Sequence, residues 1–224
     1  MWLKLFLILK SIDAWVEPEA GESAYFQIDE KNMTCTTNLQ NEVWGVLKHS
    51  FSKTSSDNKV YGVNLGGWMV LEPWVTPSLF YQFLGKGENE VAMDSYSFCQ
   101  ALGPAEGNRQ LKRHWKTWVT YDHLARLASK GINALRIPVG DWLFAPYSPY
   151  VGCYDGALEY VDLAVEWAQD LNMSVLFDLH ALKGSANGLD NGGITVGLAW
   201  TSTLQDVAPG AKTFEHWPRR TANW

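Results

Sequence analysis

Two apolar segments of the sequence carry charged side chains among their aliphatic residues. Residues 132–138 include Arg136, and residues 174–180 include Asp178 and His180. A fixed guanidinium holds a neighbouring carboxylate ionised and oriented, as chemistry at a carboxylate requires. Each residue also has a structural explanation, because an isolated histidine is often a hydrogen-bonded core residue and an isolated arginine is often a salt-bridge partner.

The segment GVNLGGWMVLEPW, residues 62–74, combines two indoles with a single carboxylate. A carboxylate can accept two hydroxyl hydrogen bonds at once, and an indole presents a flat apolar face. A flat ligand that is rich in hydroxyl groups would use both. The alternatives are that Glu72 forms a salt bridge with a lysine or arginine, and that Trp68 and Trp74 pack in the core.

Strands and helices must position these residues. Short apolar segments predict strands over residues 60–66, 132–139 and 174–180. Alternating strands and helices are typical of parallel βα units, so we predict an α/β fold with a parallel sheet that is buried on both faces. Capping residues and apolar periodicity predict the helices from Asp94 through Leu102 with an end at Gly103, over Gln110–Val119, from Thr120 to Gly131, and over residues 157–172.

Side-chain alternation along the strands predicts which residues share a face. Leu135 and Ile137 would meet the helices, which leaves Arg136 on the opposite face. In the next strand, Asp178 and His180 lie opposite the apolar residues. If the sheet belongs to a barrel, the polar face is the interior, and its C-terminal rim is where catalytic residues lie.

The composition limits the classes of function. The chain has 224 residues, of which 46% are hydrophobic, enough for one sizeable domain or two small ones. A formal net charge of −6 argues against a general affinity for nucleic acid or anionic lipid. No apolar run approaches the roughly 18 residues that a membrane span requires. Three cysteines are too few and too scattered for a metal cluster, and allow at most one disulfide.

Residues 1–59 are interpreted as an N-terminal extension that ends in the loop-like segment SKTSSDNK. Its first residues include Lys4 and a hydrophobic run that Lys10 interrupts, so the run is shorter than a secretory signal normally needs, and the signal-peptide interpretation stays open. Two glycosylation sequons begin at Asn32 and Asn172. They fit a secreted chain, although such motifs also arise by chance.

Five ordered sequence blocks carry a resemblance to a known family. The chain resembles the exo-β-1,3-glucanases of glycoside hydrolase family five over residues 60–193. This resemblance implies a TIM (β/α)8 barrel, of which about three βα units are present. The blocks are GVNLGGWMVLEPWVTPSLF, DSYSFCQALG, LKRHWKTWVT, GINALRIPVGDWLFAP and DLHALKGSANGLDN.

The resemblance also implies roles for individual residues. Glu72 would lie in the pocket for a terminal glucose, with Trp68 and Trp74 as its walls. Arg136 would support the nucleophilic carboxylate, and His180 would reach the sugar or that carboxylate. Among later residues, Asp190 would accept a further hydroxyl, whereas Leu189 stands where the family usually has an aromatic residue.

The two catalytic glutamates of the family are expected on later strands, and the acid/base lies in an Asn-Glu-Pro motif. A retaining mechanism needs both carboxyl groups about 5–5.5 Å apart, and this chain has no Asn-Glu-Pro motif. We therefore expect the intact form to release glucose from β-glucan and this chain to be inactive, with residues 194–224 as a divergent tail. A non-catalytic glucan-binding protein and a fragment without function remain alternatives.

The resemblance implies further properties of the protein. A β-1,3-glucan or related oligosaccharide is the expected partner, without nucleic acid. The protein is expected to be monomeric and to be extracellular or in the cell wall. Hydrolysis by two carboxyl groups needs no metal or organic cofactor, so none is expected.

Overall fold

The computed structural model describes residues 25–26, 35–36, 59–87, 90–197, 199–200, 202 and 207–213. The chain divides into two compact units, of which one is Leu9–Lys59 and the other includes Val60–Trp224. In the first unit, β1 (Tyr25–Phe26) pairs antiparallel with β2 (Cys35–Thr36). The signal-like segment and the sequon at Asn32 lie outside the described residues.

The second unit contains a parallel sheet of three strands in the order β3-β4-β5. The strands are β3 (Gly62–Asn64), β4 (Ala134–Gly140) and β5 (Ser174–Ala181). All three lie where the apolar segments predict them, and their parallel pairing is confirmed. However, β3 is shorter than predicted and is partly exposed rather than buried, since within the described residues it pairs with β4 alone.

Four α-helices with described boundaries accompany the sheet: α1 (Pro77–Phe80), α2 (Ser95–Trp118), α3 (Tyr121–Ala128) and α4 (Ala157–Asp170). The predicted caps are confirmed, because the Asp94 carboxylate accepts from Ser97 N at 2.7 Å and the Thr120 hydroxyl accepts from His123 N at 3.4 Å. Inside α2 the predicted break is a kink at Gly103, whose φ is 71°. A left-handed φ favours glycine, and the following Pro104 removes one helical donor.

One face of the sheet forms the core of the unit. Leu135, Ile137, Val175 and Phe177 are at most 1% exposed on this side. On the opposite face Arg136, Leu176 and His180 are only partly buried, whereas Pro138 and Asp178 are buried. The prediction of a sheet buried on both faces is therefore wrong at the partly exposed positions of this face. Three twisted strands cannot close around their own concave side, so that side stays open.

A disulfide connects Cys99 in α2 with Cys153 in the segment before α4. Both cysteines are buried in the core. A Cβ on Gly107 would lie 2.6 Å from the Cys153 sulfur, so only glycine leaves room for the bridge. The sequence allowed one bridge without identifying its partners.

Part of the predicted tail packs against the loops of the sheet. Residues 207–213 are helical, an element that was not predicted within the divergent tail. The Thr213 side chain is buried and its hydroxyl donates to Pro209 O at 3.0 Å. Thr195 N donates to the Asp94 carboxylate at 2.7 Å. None of the helices in the described residues has both the length and the apolar character needed to cross a membrane.

Candidate functional site

Three charged or polar side chains meet on the open face of the sheet. Arg136 on β4 donates from Nη2 to Asp178 Oδ2, and His180 Nδ1 lies 2.9 Å from the same carboxylate oxygen. Arg136 Nη2 and His180 Nδ1 are 3.3 Å apart. The side chain of Asp178 is 6% exposed, whereas those of Arg136 and His180 are 33% and 25% exposed. The prediction that Arg136 and His180 share one face is confirmed.

The carboxylate of Asp178 organises this cluster. It accepts from the Arg136 guanidinium and lies 2.9 Å from His180 Nδ1, so both groups lie against one buried carboxylate. An Nδ1–H that donates to Asp178 leaves Nε2 of His180 for a further partner. The sequence placed Asp178 on the correct face without giving it a role.

Asn64 at the end of β3 holds the guanidinium from the other side. Arg136 Nη1 donates to Asn64 Oδ1 at 2.7 Å. The two residues are partners in the β3–β4 register, so their side chains leave the sheet on the same face. Asn64 was not among the predicted site residues, although its position at the end of a predicted strand was the available signal.

Glu72 approaches the same region through Gly66 and Gly67, the glycine pair that follows β3. Its Oε1 accepts from Gly67 N at 2.9 Å. A Cβ on Gly66 would lie 3.0 Å from Asn64 Nδ2 and 3.1 Å from Glu72 Oε1. Glycine therefore leaves space for both polar groups. The ion pairs among the described residues do not include Glu72, so its salt-bridge alternative has no support there.

Two side chains of α2 fix the backbone of the glycine pair. His114 Nε2 lies 2.8 Å from Gly67 O, and Trp118 Nε1 donates to Gly66 O at 3.1 Å. Burial lowers the pKa of His114, so the ring is neutral near pH 7 and its Nε2–H donates to the carbonyl. Neither residue was identified from the sequence, because both contacts join segments about fifty residues apart.

A groove of about 480 Å³ lies beside β3. Its polar lining comes from Asn64, Glu72 and His123, and Trp118 contributes an indole. The remaining lining is mainly aliphatic and comes from Leu65, Val75, Val119, Leu124 and Leu127. The groove therefore extends from the Glu72 carboxylate to the apolar side of α3.

The two tryptophans of the glycine segment have different environments. Trp68 is 1% exposed, and its Nε1 donates to Trp115 O at 3.1 Å. The prediction that Trp68 walls a ligand site is wrong, because a ring enclosed by the core has no free face for a ligand. Trp74 is 85% exposed and keeps its ring available.

Two further acids lie in the loops that follow β4 and β5. Asp190 lies in a short 3-10 helix, and its Oδ2 is buried without a hydrogen-bond partner among the described residues. Asp141 follows β4 directly and accepts from Tyr147 Oη at 2.9 Å and from Lys183 N at 2.9 Å. Burial raises the pKa of Asp141 to about 6, and these hydrogen bonds oppose the shift. Asp141 therefore ties the two loops together, a role that sequence analysis did not assign.

The chain is similar to proteins of known name along most of its described length. It is 47% identical over 149 residues to a relative from Blumeria graminis, covering 66% of this chain and 34% of the relative. A second relative, from Emericella nidulans, is 43% identical over 162 residues, covering 69% and 38%. The first is named glucan 1,3-beta-glucosidase, the second probable glucan 1,3-beta-glucosidase A. The chain therefore spans little more than a third of the length of these relatives. No protein-family model matches the chain.

Solved structures show a related fold. The rutinosidase from Aspergillus niger superposes with a TM-score of 0.61 at 27% identity, covering 70% of this chain and 42% of the rutinosidase. A second structure, AoRut, superposes with a TM-score of 0.59 at 23% identity and shows the fold alone. The three-stranded parallel sheet and its helices thus have a glycosidase as a structural neighbour.

Proposed function

We propose that this chain is part of an exo-β-1,3-glucanase of glycoside hydrolase family five, whose whole form releases glucose from the ends of β-glucan with retention. The observation that carries the proposal is the 47% identity over 149 residues to a protein named glucan 1,3-beta-glucosidase. On this proposal β3, β4 and β5 are three strands of a (β/α)8 barrel, and the open face of the sheet is the barrel interior. His180 lies near the C-terminal end of β5, and Arg136, the third residue of β4, lies 3.3 Å from its Nδ1, which supports this placement.

The cluster of Arg136, Asp178 and His180 is arranged so that it can support a catalytic carboxylate. Asn64 and Asp178 hold the Arg136 guanidinium on two sides, which leaves part of its donor set for another acidic group. A carboxylate beside a fixed guanidinium stays ionised, as a glycosidase nucleophile must. His180 offers Nε2 to the same group or to a sugar hydroxyl. These residues act on the reaction by orientation and charge, and none of them forms the glycosyl bond.

Glucose recognition is assigned to Glu72 and Trp74, which follow the glycine pair in the sequence, and to Asp190 in the loop after β5. Glu72 and Asp190 would accept sugar hydroxyls, and Trp74 would offer an apolar face to a ring. The sequence contains no Asn-Glu-Pro motif for the acid/base. The 224 residues are therefore proposed to bind glucan and to release no glucose.

A glucan-binding experiment tests this proposal. The full chain is run through native gels with and without laminarin, and glucose release is measured on the same samples. Retardation by laminarin without glucose release is expected, and Glu72→Gln should reduce the retardation because a neutral amide accepts fewer hydroxyl hydrogen bonds. Glu166→Gln on the exposed side of α4 is the matched control and should migrate like the parent. A folded chain that laminarin does not retard contradicts the proposal, as does equal retardation of the Glu72→Gln variant.

We also propose that the protein is extracellular or in the cell wall and is monomeric. The buried Cys99–Cys153 bridge supports the location, since disulfides persist in oxidising compartments. Light scattering of the purified chain at several concentrations tests the oligomeric state. A mass that rises to twice that of the chain contradicts the monomer.

A further inference from the structure

The turn between α3 and β4 shows how the chain ends a helix before it enters the next strand. Gly131 N donates to Ala128 O at 2.9 Å, and Ile132 N donates to Leu127 O at 3.2 Å. Gly131 has a φ of +88°. This pair of hydrogen bonds with a left-handed residue is a Schellman ending, in which glycine is the preferred residue.

The turn between α4 and β5 has the same hydrogen bonds and a different residue. Asn172 N donates to Gln169 O at 3.0 Å, and Met173 N donates to Ala168 O at 2.7 Å. Asn172 has a φ of +55°, and asparagine is the side chain that tolerates this region best after glycine. The backbone of the turn therefore accepts glycine or asparagine, and this chain has asparagine.

A hydroxyl residue stands two positions after this asparagine. Asn172, Met173 and Ser174 form the acceptor sequence for N-linked glycan. The turn geometry accounts for the left-handed residue but places no demand on Ser174, whose backbone N–H donates to Asn133 O at 2.8 Å. Asn172 is exposed, as the attachment of a glycan requires.

The position of the turn separates it from the candidate functional site. Ser174 begins β5, whereas Asp178 and His180 lie four and six residues further along the strand. At about 3.3 Å per residue they are roughly 13 and 20 Å from the start of the strand. A glycan at the N-terminal end of β5 would leave the open face of the sheet accessible.

We propose that Asn172 is an N-glycosylation site of this protein. The side-chain Nδ2 of Asn172 would form a bond to C1 of a glycan supplied on a lipid pyrophosphate carrier; the bond from C1 to the pyrophosphate breaks, the carrier leaves as the lipid pyrophosphate, and one amide proton is released. This transfer takes place in the same secretory compartment that supports the Cys99–Cys153 disulfide. This inference goes beyond the proposed hydrolase function, and it uses only the proposed extracellular location.

Peptide mapping after glycan removal tests the site. The full chain is expressed behind a yeast secretion leader, and both the medium and the membrane fraction are digested with peptide N-glycosidase in heavy-oxygen water. Heavy-oxygen incorporation at Asn172 is expected in the parent and in the Ser174→Thr variant, which keeps the motif. It should be lost in Ser174→Ala, which removes only the acceptor hydroxyl.

A second variant removes the glycosylation site and keeps a residue that is compatible with the turn. Asn172→Gly keeps a residue that suits the left-handed turn, so its melting temperature should not fall below that of the enzymatically deglycosylated parent. Laminarin retardation should be the same in Asn172→Gly and in the parent, because the turn is remote from the candidate functional site. An unlabelled Asn172 peptide from disulfide-bonded parent chain overturns the proposal, and so does label confined to Asn32.

Discussion

The ion pair between Arg136 and Asp178 offers a quantitative test of the candidate functional site. We consider the variants Arg136→Met and Asp178→Asn, singly and together. Each single variant leaves its partner with an unmatched charge or donor, whereas the double variant removes both. The coupling free energy from this cycle measures what the pair contributes beyond its separate parts.

The expected magnitude follows from the exposure of the two side chains. Removing one partner of a fully buried ion pair costs about 3–5 kcal/mol, and exposed pairs contribute about 0–1 kcal/mol. Asp178 is 6% exposed and Arg136 is 33% exposed, so water reaches one side of the pair. We therefore expect a coupling of about 2 kcal/mol, between the two limits.

Urea denaturation of the four proteins gives the cycle. The pair between Arg109 and Glu106 in α2 is the matched control, since it joins the same chemical groups at 2.5 Å with side chains that are 63% and 42% exposed. Its Arg109→Met and Glu106→Gln cycle should show no measurable coupling. If the Arg136 and Asp178 coupling is no larger than that of the control pair, the buried carboxylate does not organise the cluster and the reasoning fails.

The remaining predictions concern the core, the pH profile and the ligand face. Replacing Cys99 and Cys153 together by alanine should lower the free energy of unfolding by about 4 kcal/mol, because the bridge closes a loop with a sequence separation of 54 residues; equal urea midpoints for variant and parent would contradict this. The raised pKa of Asp141 means that the folded state favours the protonated form of this carboxyl group. The stability that the protonated group contributes is therefore present below its ordinary pKa and is lost as the pH rises through about 6. Between pH 5 and 7.5 the parent should lose about 1 kcal/mol relative to Asp141→Asn, and parallel pH profiles would refute the assignment. Trp68→Ala should cost about 3–5 kcal/mol of stability. Trp74→Ala should change stability by less than about 0.5 kcal/mol and should weaken laminarin retardation. If urea titrations show that Trp74→Ala is more destabilising than Trp68→Ala, the assignment of Trp68 to the core and of Trp74 to the ligand face is wrong.

Local interactions explain why much of the fold was predictable. A cap such as Asp94 or Thr120 needs only a backbone donor three residues away, so its signal is complete within a short segment. Alternation along an extended strand is likewise a property of the strand itself, which is why Arg136 and His180 were placed on one face. The three parallel strands follow from apolar segments of the right length.

The predictions that failed depend on contacts between distant segments. The alternation rule applies to each strand separately and cannot state whether another layer covers the second face of the sheet, which stays open here. The helix over residues 207–213 was not predicted within the divergent tail, because so short a segment does not show an amphipathic period. In each case the missing information is which other part of the chain lies nearby.

The sequence by itself determined the order of strands and helices, the residues that begin and end several helices, and the face on which the charged side chains emerge. Only the tertiary structure decided that Trp68 is enclosed while Trp74 is exposed, that Cys99 pairs with Cys153, and that Asn64 holds Arg136 across 72 residues of sequence. The physical reason is that backbone conformation is set mainly by near neighbours, whereas burial and hydrogen-bond partners are set by the chain segments that packing brings together.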